Sequence, residues 1–72
     1  MKENKQNICD LLLITLQATR NASDLVSLEY FEDEKGNETV VATFESGGKR
    51  VTNVSMDSGT AMIRDIMNNL GC

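Results

Sequence analysis

The apolar residues of this chain change their spacing twice. From Ile8 to Ala18 they recur with the 3.6-residue period of a helix. From Leu25 to Met56 they alternate with the two-residue period of strands, and from Met62 to Leu70 helical spacing returns. Turn-forming residues stand at each change: Asn21-Ala22-Ser23-Asp24, then Asp33 to Glu38 with Gly36-Asn37, then Ser46-Gly47-Gly48, then Asp57-Ser58-Gly59. The pattern predicts helix 6–21, strands 25–32, 39–45 and 49–56, and a second helix opened by Asp57 or Ser58 and closed by Gly71. Connections this short make neighbouring strands antiparallel. The expected fold class is α+β: a two-layer α-β-β-β-α domain whose three-stranded antiparallel meander is covered on one face by two helices, spanning residues 1–72 as a single domain.

Within the strands, Val26, Leu28 and Tyr30 are expected on one face, with Leu25 and Phe31 sharing the other. Val40, Ala42 and Phe44 form one side of the next strand, and Thr52, Val54 and Met56 one side of the last. The second helix sets Met62, Ile63, Ile66, Met67 and Leu70 against Arg64, Asp65, Asn68 and Asn69. The first helix has two apolar flanks, one of Ile8, Cys9, Leu12, Leu13 and Leu16, the other of Leu11, Ile14 and Ala18. A surface helix needs an apolar stripe of only about 100°. A chain of 72 residues and 7.9 kDa also buries only about 60% of its unfolded surface, so a partner adds stability. A homodimer is therefore expected, with Leu11, Ile14 and Ala18 at its interface.

Chemistry is limited by what is missing. With no histidine there is no His-based triad, imidazole switch or His-metal site, and two cysteines alone cannot complete a zinc centre. Gly47-Gly48-Lys49-Arg50 has glycines before a lysine, but Arg50 stands where a phosphate loop needs Ser or Thr, and a strand follows in place of a helix. The segment from Asp33 to Glu38 lacks the alternating carboxylates of a calcium loop. No cofactor, metal or catalytic residue is expected, and the protein is read as non-enzymatic. The run Leu11-Leu12-Leu13-Ile14 is broken too soon to be a leader or a membrane span, which predicts a cytoplasmic protein with Cys9 as a reduced core residue and Cys72 free at a frayed end.

Charge is unevenly spread. Glu29, Glu32, Asp33, Glu34, Glu38 and Glu45 give the stretch from 29 to 45 a charge of −5 against Lys35, leaving +1 elsewhere in a chain of net −4. On paired strands these acids would gather at one end and flank of the sheet. Such a field prevents edge-to-edge association of sheets, and it also attracts a basic groove while disfavouring direct contact with nucleic acid. Glu29, Tyr30, Glu32, Asp33, Glu34 and Glu38 are therefore the expected partner-binding residues, with Tyr30 or Phe31 as an aromatic anchor. Neutralising Glu32, Asp33, Glu34 and Glu38 together is expected to leave the fold intact. A competing expectation is an oligomer that sequesters a nucleotide messenger through Lys49, Arg50 or Arg64, and a third is a structural or regulatory dimer.

The stretch from Val54 to Ile66, Val-Ser-Met-Asp-Ser-Gly-Thr-Ala-Met-Ile-Arg-Asp-Ile, resembles the ending of small proteins encoded in prophages and mobile elements of Gram-positive bacteria. Size, acidity and element order are similar to those of phage-encoded inhibitors of CRISPR nucleases. The resemblance implies a phage accessory protein that blocks a bacterial nucleic-acid enzyme. It carries over no contact residue.

Overall fold

The computed structural model describes residues 4–71. It shows the predicted order: α1 (Lys5–Gln17), β1 (Leu25–Glu32), β2 (Glu38–Phe44), β3 (Lys49–Asn53) and α2 (Gly59–Leu70). The strands form one antiparallel sheet in the order β1-β2-β3. α1 packs over β1 and α2 over β3. Both helix N-termini lie at the end of the sheet that carries the β1–β2 hairpin. Lys5 and Gln6 of α1 bond to Glu38 and Tyr30 there, while Gln17 and Asn69, late in each helix, bond nearer the opposite end.

Caps and turns set the boundaries. Asn4 opens α1 by accepting from the Asn7 amide at 3.0 Å, and Ser58, not Asp57, opens α2 by accepting from the Ala61 amide at 3.2 Å. Gly71, at φ 75°, closes α2 in the left-handed conformation. α1 stops four residues before the predicted Asn21. The Thr19 amide and hydroxyl both turn back onto the Leu16 carbonyl, at 2.9 and 2.7 Å, and consume the acceptor at the helix end. β3 ends at Asn53 rather than at Met56, because Ser55 and Met56 turn the chain toward α2.

The core joins Cys9, Leu12 and Leu16 of α1 to Leu25, Leu28, Val40 and Ala42 of the sheet, and to Val54, Met62 and Ile66. Two face assignments are corrected. The β1–β2 register slips between Leu25 and Ser27, so Val26 is an extra residue in a β-bulge. The bulge turns Leu25 inward beside Leu28 and Tyr30 and leaves Val26 half exposed. Met56, expected beside Thr52 and Val54, instead has a positive φ of 62° and is 96% exposed.

The bulge separates two substitutions that regular pairing would rank the other way. Leu25→Ala is expected to cost about 2–5 kcal/mol, as truncations of buried leucines do. Val26→Lys is expected to stay within about 0.5 kcal/mol. Urea denaturation of both variants checks this, and a larger loss for Val26→Lys would restore the unbulged register.

Candidate functional site

Glu38, the first residue of β2, gathers the hairpin end of the molecule onto one carboxylate. Lys5 of α1 donates to Oε2 at 2.8 Å, the Tyr30 hydroxyl of β1 donates to the same oxygen, and the Met56 amide donates to Oε1 at 3.1 Å. The Glu38 backbone is held as well: its amide donates to Ser55 Oγ at 2.8 Å and its carbonyl accepts from the Val54 amide at 2.9 Å. The Lys5 and Glu38 side chains are only 14% and 13% exposed, so this is no ordinary surface pair. The ammonium of Lys5 and then the Tyr30 hydroxyl hold the Glu38 carboxyl down at about 2, and the bond to Glu38 pushes the Tyr30 phenol up to about 12.

The expected acidic surface is thereby divided. Glu38 is engaged within the fold. Asp33 shapes the hairpin: its Oδ1 accepts from the Lys35 and Asn37 amides and its Oδ2 from the Asn37 side chain, which lowers its pKa. Glu32, Asp33 and Glu34 stand exposed together at the hairpin end. Glu29 is also exposed but lies on the sheet face away from the helices, paired with Val41. Glu45 is at the opposite end, where its amide bonds to the Asp24 carbonyl. Tyr30 is half-buried and points toward Glu38, which leaves Phe31 as the exposed aromatic. Neutralising all four hairpin carboxylates would therefore remove two internal supports, and the expectation that the fold is indifferent to it does not survive.

Sequence reasoning missed the role of three amides. Gln6 Oε1 accepts from the Tyr30 amide at 3.0 Å, and Gln17 Nε2 donates to the Leu25 carbonyl at 2.9 Å, both on the outer edge of β1. Asn69 Nδ2 donates to the Val51 carbonyl at 3.0 Å and to the buried Thr52 hydroxyl at 2.6 Å, on the outer edge of β3. The helices thus satisfy backbone groups that edge strands would otherwise offer to another chain. Asn69 had been placed on the polar arc facing away. Gln6 and Gln17 flank the apolar stripe of α1, and that position was the available signal.

On the outer flank of α1, Leu11 and Ile14 are 61% and 67% exposed and Ala18 is exposed beside them. The uncovered sheet face carries Val26, Phe31 and Val51, each at least half exposed. A groove of about 530 Å³ at the far end is lined by Asn21, Asp24, Phe44, Lys49, Arg50 and Leu70 among others. Arg50 already donates to the Asn69 carbonyl at 3.1 Å, and Arg64 lies elsewhere, 3.5 Å from Asp65, so the fold does not bring these cations together. Beside α2, the Asp65 carboxyl and then burial raise the Asp57 carboxyl from its ordinary value, and its Oδ2 is buried with no partner among the described residues. Cys9 is wholly buried and burial pushes its thiol up to about 11, an inert core residue; Cys72 lies outside the described residues. No cluster of metal-ligating side chains occurs among the described residues. No protein-family model matches the chain, and comparison with curated proteins and with solved structures finds no match.

The Glu38 network has a signed pH dependence. Because the carboxyl is held down in the fold, its stabilisation is complete above its ordinary value of 4.5 and is lost as pH falls toward about 2. The raised Tyr30 phenol acts in the other direction: its stabilisation is complete below 10 and is lost as pH rises through about 12. Ultraviolet titration of the folded protein should show Tyr30 ionising near 12, and Glu38→Gln should bring it back toward 10. A phenol that ionises near 10 in the unmutated protein would break the assignment.

Proposed function

We propose that this protein is a non-enzymatic, phage-type inhibitor of a bacterial defence enzyme that acts on nucleic acid, in the first instance a CRISPR nuclease. It docks its acidic hairpin end in the enzyme's basic groove. The observation that carries this reading is the exposed group Glu32, Asp33 and Glu34, presented at an end of the molecule that the Glu38 network braces. A fixed array of like charges steers a basic partner and speeds encounter. Met56, 96% exposed at the same end, supplies an apolar anchor that a protein groove would bury. The acids that attract such a groove repel nucleic acid itself, so the partner is the enzyme and not its substrate.

The action takes place in the cytoplasm of the host cell, where such enzymes work; no described helix is long and apolar enough to cross a membrane. The working species is a homodimer, which presents more than one acidic hairpin to its target. The groove lined by Lys49 and Arg50 favours a second reading, sequestration of a nucleotide messenger, and a nucleotide-dependent rise in melting temperature is its signature.

The structure selects the variant for the test. Glu32→Gln with Glu34→Gln removes two charges that make no bond within the described fold, unlike Asp33 and Glu38. With a purified CRISPR nuclease carrying its guide RNA, the double variant should associate about tenfold more slowly at low salt. Its rate should also depend less on salt than that of the unmutated protein. Equal association rates and equal salt slopes would remove the hairpin end from the mechanism.

A further inference from the structure

The sheet face opposite the helices has no cover in the subunit. Paired residues share a face, so the register sets three rows on it: Ser27-Thr43-Lys49, Glu29-Val41-Val51 and Phe31-Thr39-Asn53. The middle of the face is β-branched, Val51 is 61% exposed and Phe31 50%, and the formal charges on these rows are Glu29 on β1 and Lys49 on β3.

We infer that this face is the homodimer interface, two sheets packed face to face about a two-fold axis that runs along β2. The inference rests on the dimer proposed above and assigns its location.

Three observations choose a second copy as the occupant. First, the outer edges of β1 and β3 are occupied at Tyr30, Leu25 and Val51 by Gln6, Gln17 and Asn69, so pairing edge to edge is obstructed and stacking of faces remains. Second, the two charges on the face itself, Glu29 and Lys49, are self-complementary. An axis along the strands lays β1 of one copy over β3 of the other, which sets each Glu29 one row from the partner copy's lysine at position 49. An axis across the strands would lay β1 over β1 and β3 over β3, which keeps Glu29 two strands away from the partner copy's lysine at position 49 and, with the axis at its row, sets it on its own image. Third, the face suits a reversible contact. Three strands at about 4.8 Å spacing and some six residues long give a footprint of about 300 Å² in plan. A standard stable interface buries about 800 Å² per partner. A contact below the standard size is a reversible one, so its association is followed from micromolar to millimolar protein.

This geometry also bears on the partner surface. An axis along the strands points both β1–β2 hairpins the same way and doubles the acidic charge at one end. An axis through α1 has no such requirement.

Sedimentation equilibrium across that concentration range tests the assignment. Val51→Glu should give a folded monomer throughout, while Leu11→Glu, on the outer flank of α1, should dimerise as the unmutated protein does. Glu29→Lys should weaken association about tenfold, and Glu29→Lys combined with Lys49→Glu should restore it. The exchanged pair keeps the inference testable even if Val51→Glu disturbs the fold. Loss of the dimer in Leu11→Glu with retention in Val51→Glu would move the interface to α1 and overturn the inference. A monomer at every concentration would overturn both the inference and the dimer. Neither result bears on whether a monomeric hairpin end binds a nuclease, which the association rates decide separately.

Discussion

The arrangement of the hairpin end depends on one carboxylate. Glu38 receives a lysine from α1, a phenol from β1 and a backbone amide from the β3–α2 connection, so four segments of the chain meet at one side chain. Charge-assisted bonds of this kind are stronger than neutral ones. They matter most in a domain whose core is small and whose stability is a narrow margin between large opposing quantities. The same contact fixes Met56 in a left-handed conformation that few non-glycine residues adopt. The carboxylate at the centre of the apparent acidic patch thus braces the fold, and the patch available to a partner is what remains around it.

Satisfying the backbone also determines how the molecule meets others. The sheet has two open edges in a three-stranded meander, and the helices answer both with carboxamides in place of large apolar cover. Surfaces left with apolar character are the uncovered sheet face, the outer flank of α1 and the tip at Met56. The self-complementary charges on the sheet face, the bare flank of α1 and the acids around Met56 give these surfaces different chemistry. These surfaces are separate, so the proposed self-association leaves the proposed partner surface open.

Much of this was legible in the sequence, for definable reasons. α2 has a serine cap, helical spacing and a closing glycine, three local signals in agreement, and it forms from Gly59 to Leu70 as these require. The division of α1 into a buried flank at Cys9, Leu12 and Leu16 and an exposed one at Leu11 and Ile14 followed from angular position alone. What was misread depends on contacts or on a single inserted residue. The three-residue step from Leu25 to Leu28 inside a strand was the mark of the bulge, and strict alternation overlooked it. The early end of α1 is set by Thr19 competing for a carbonyl, an effect of a hydroxyl rather than of hydrophobic spacing. Glu38 looked like one more surface acid because its principal partner, Lys5, lies 33 residues away in the chain.

The bracing of the hairpin end by Glu38 is tested most directly at the Met56 amide. This residue is almost fully exposed, in a turn, where an unbonded amide would exchange its hydrogen with solvent about as fast as in a free peptide. Its bond to the Glu38 carboxylate requires otherwise. Hydrogen exchange followed by NMR at neutral pH should find Met56 protected, and Glu38→Ala, in conditions where it remains folded, should abolish that protection while leaving the amides of Val40 and Ile66 slow. Exchange of Met56 at the free-peptide rate in the unmutated protein would contradict the account.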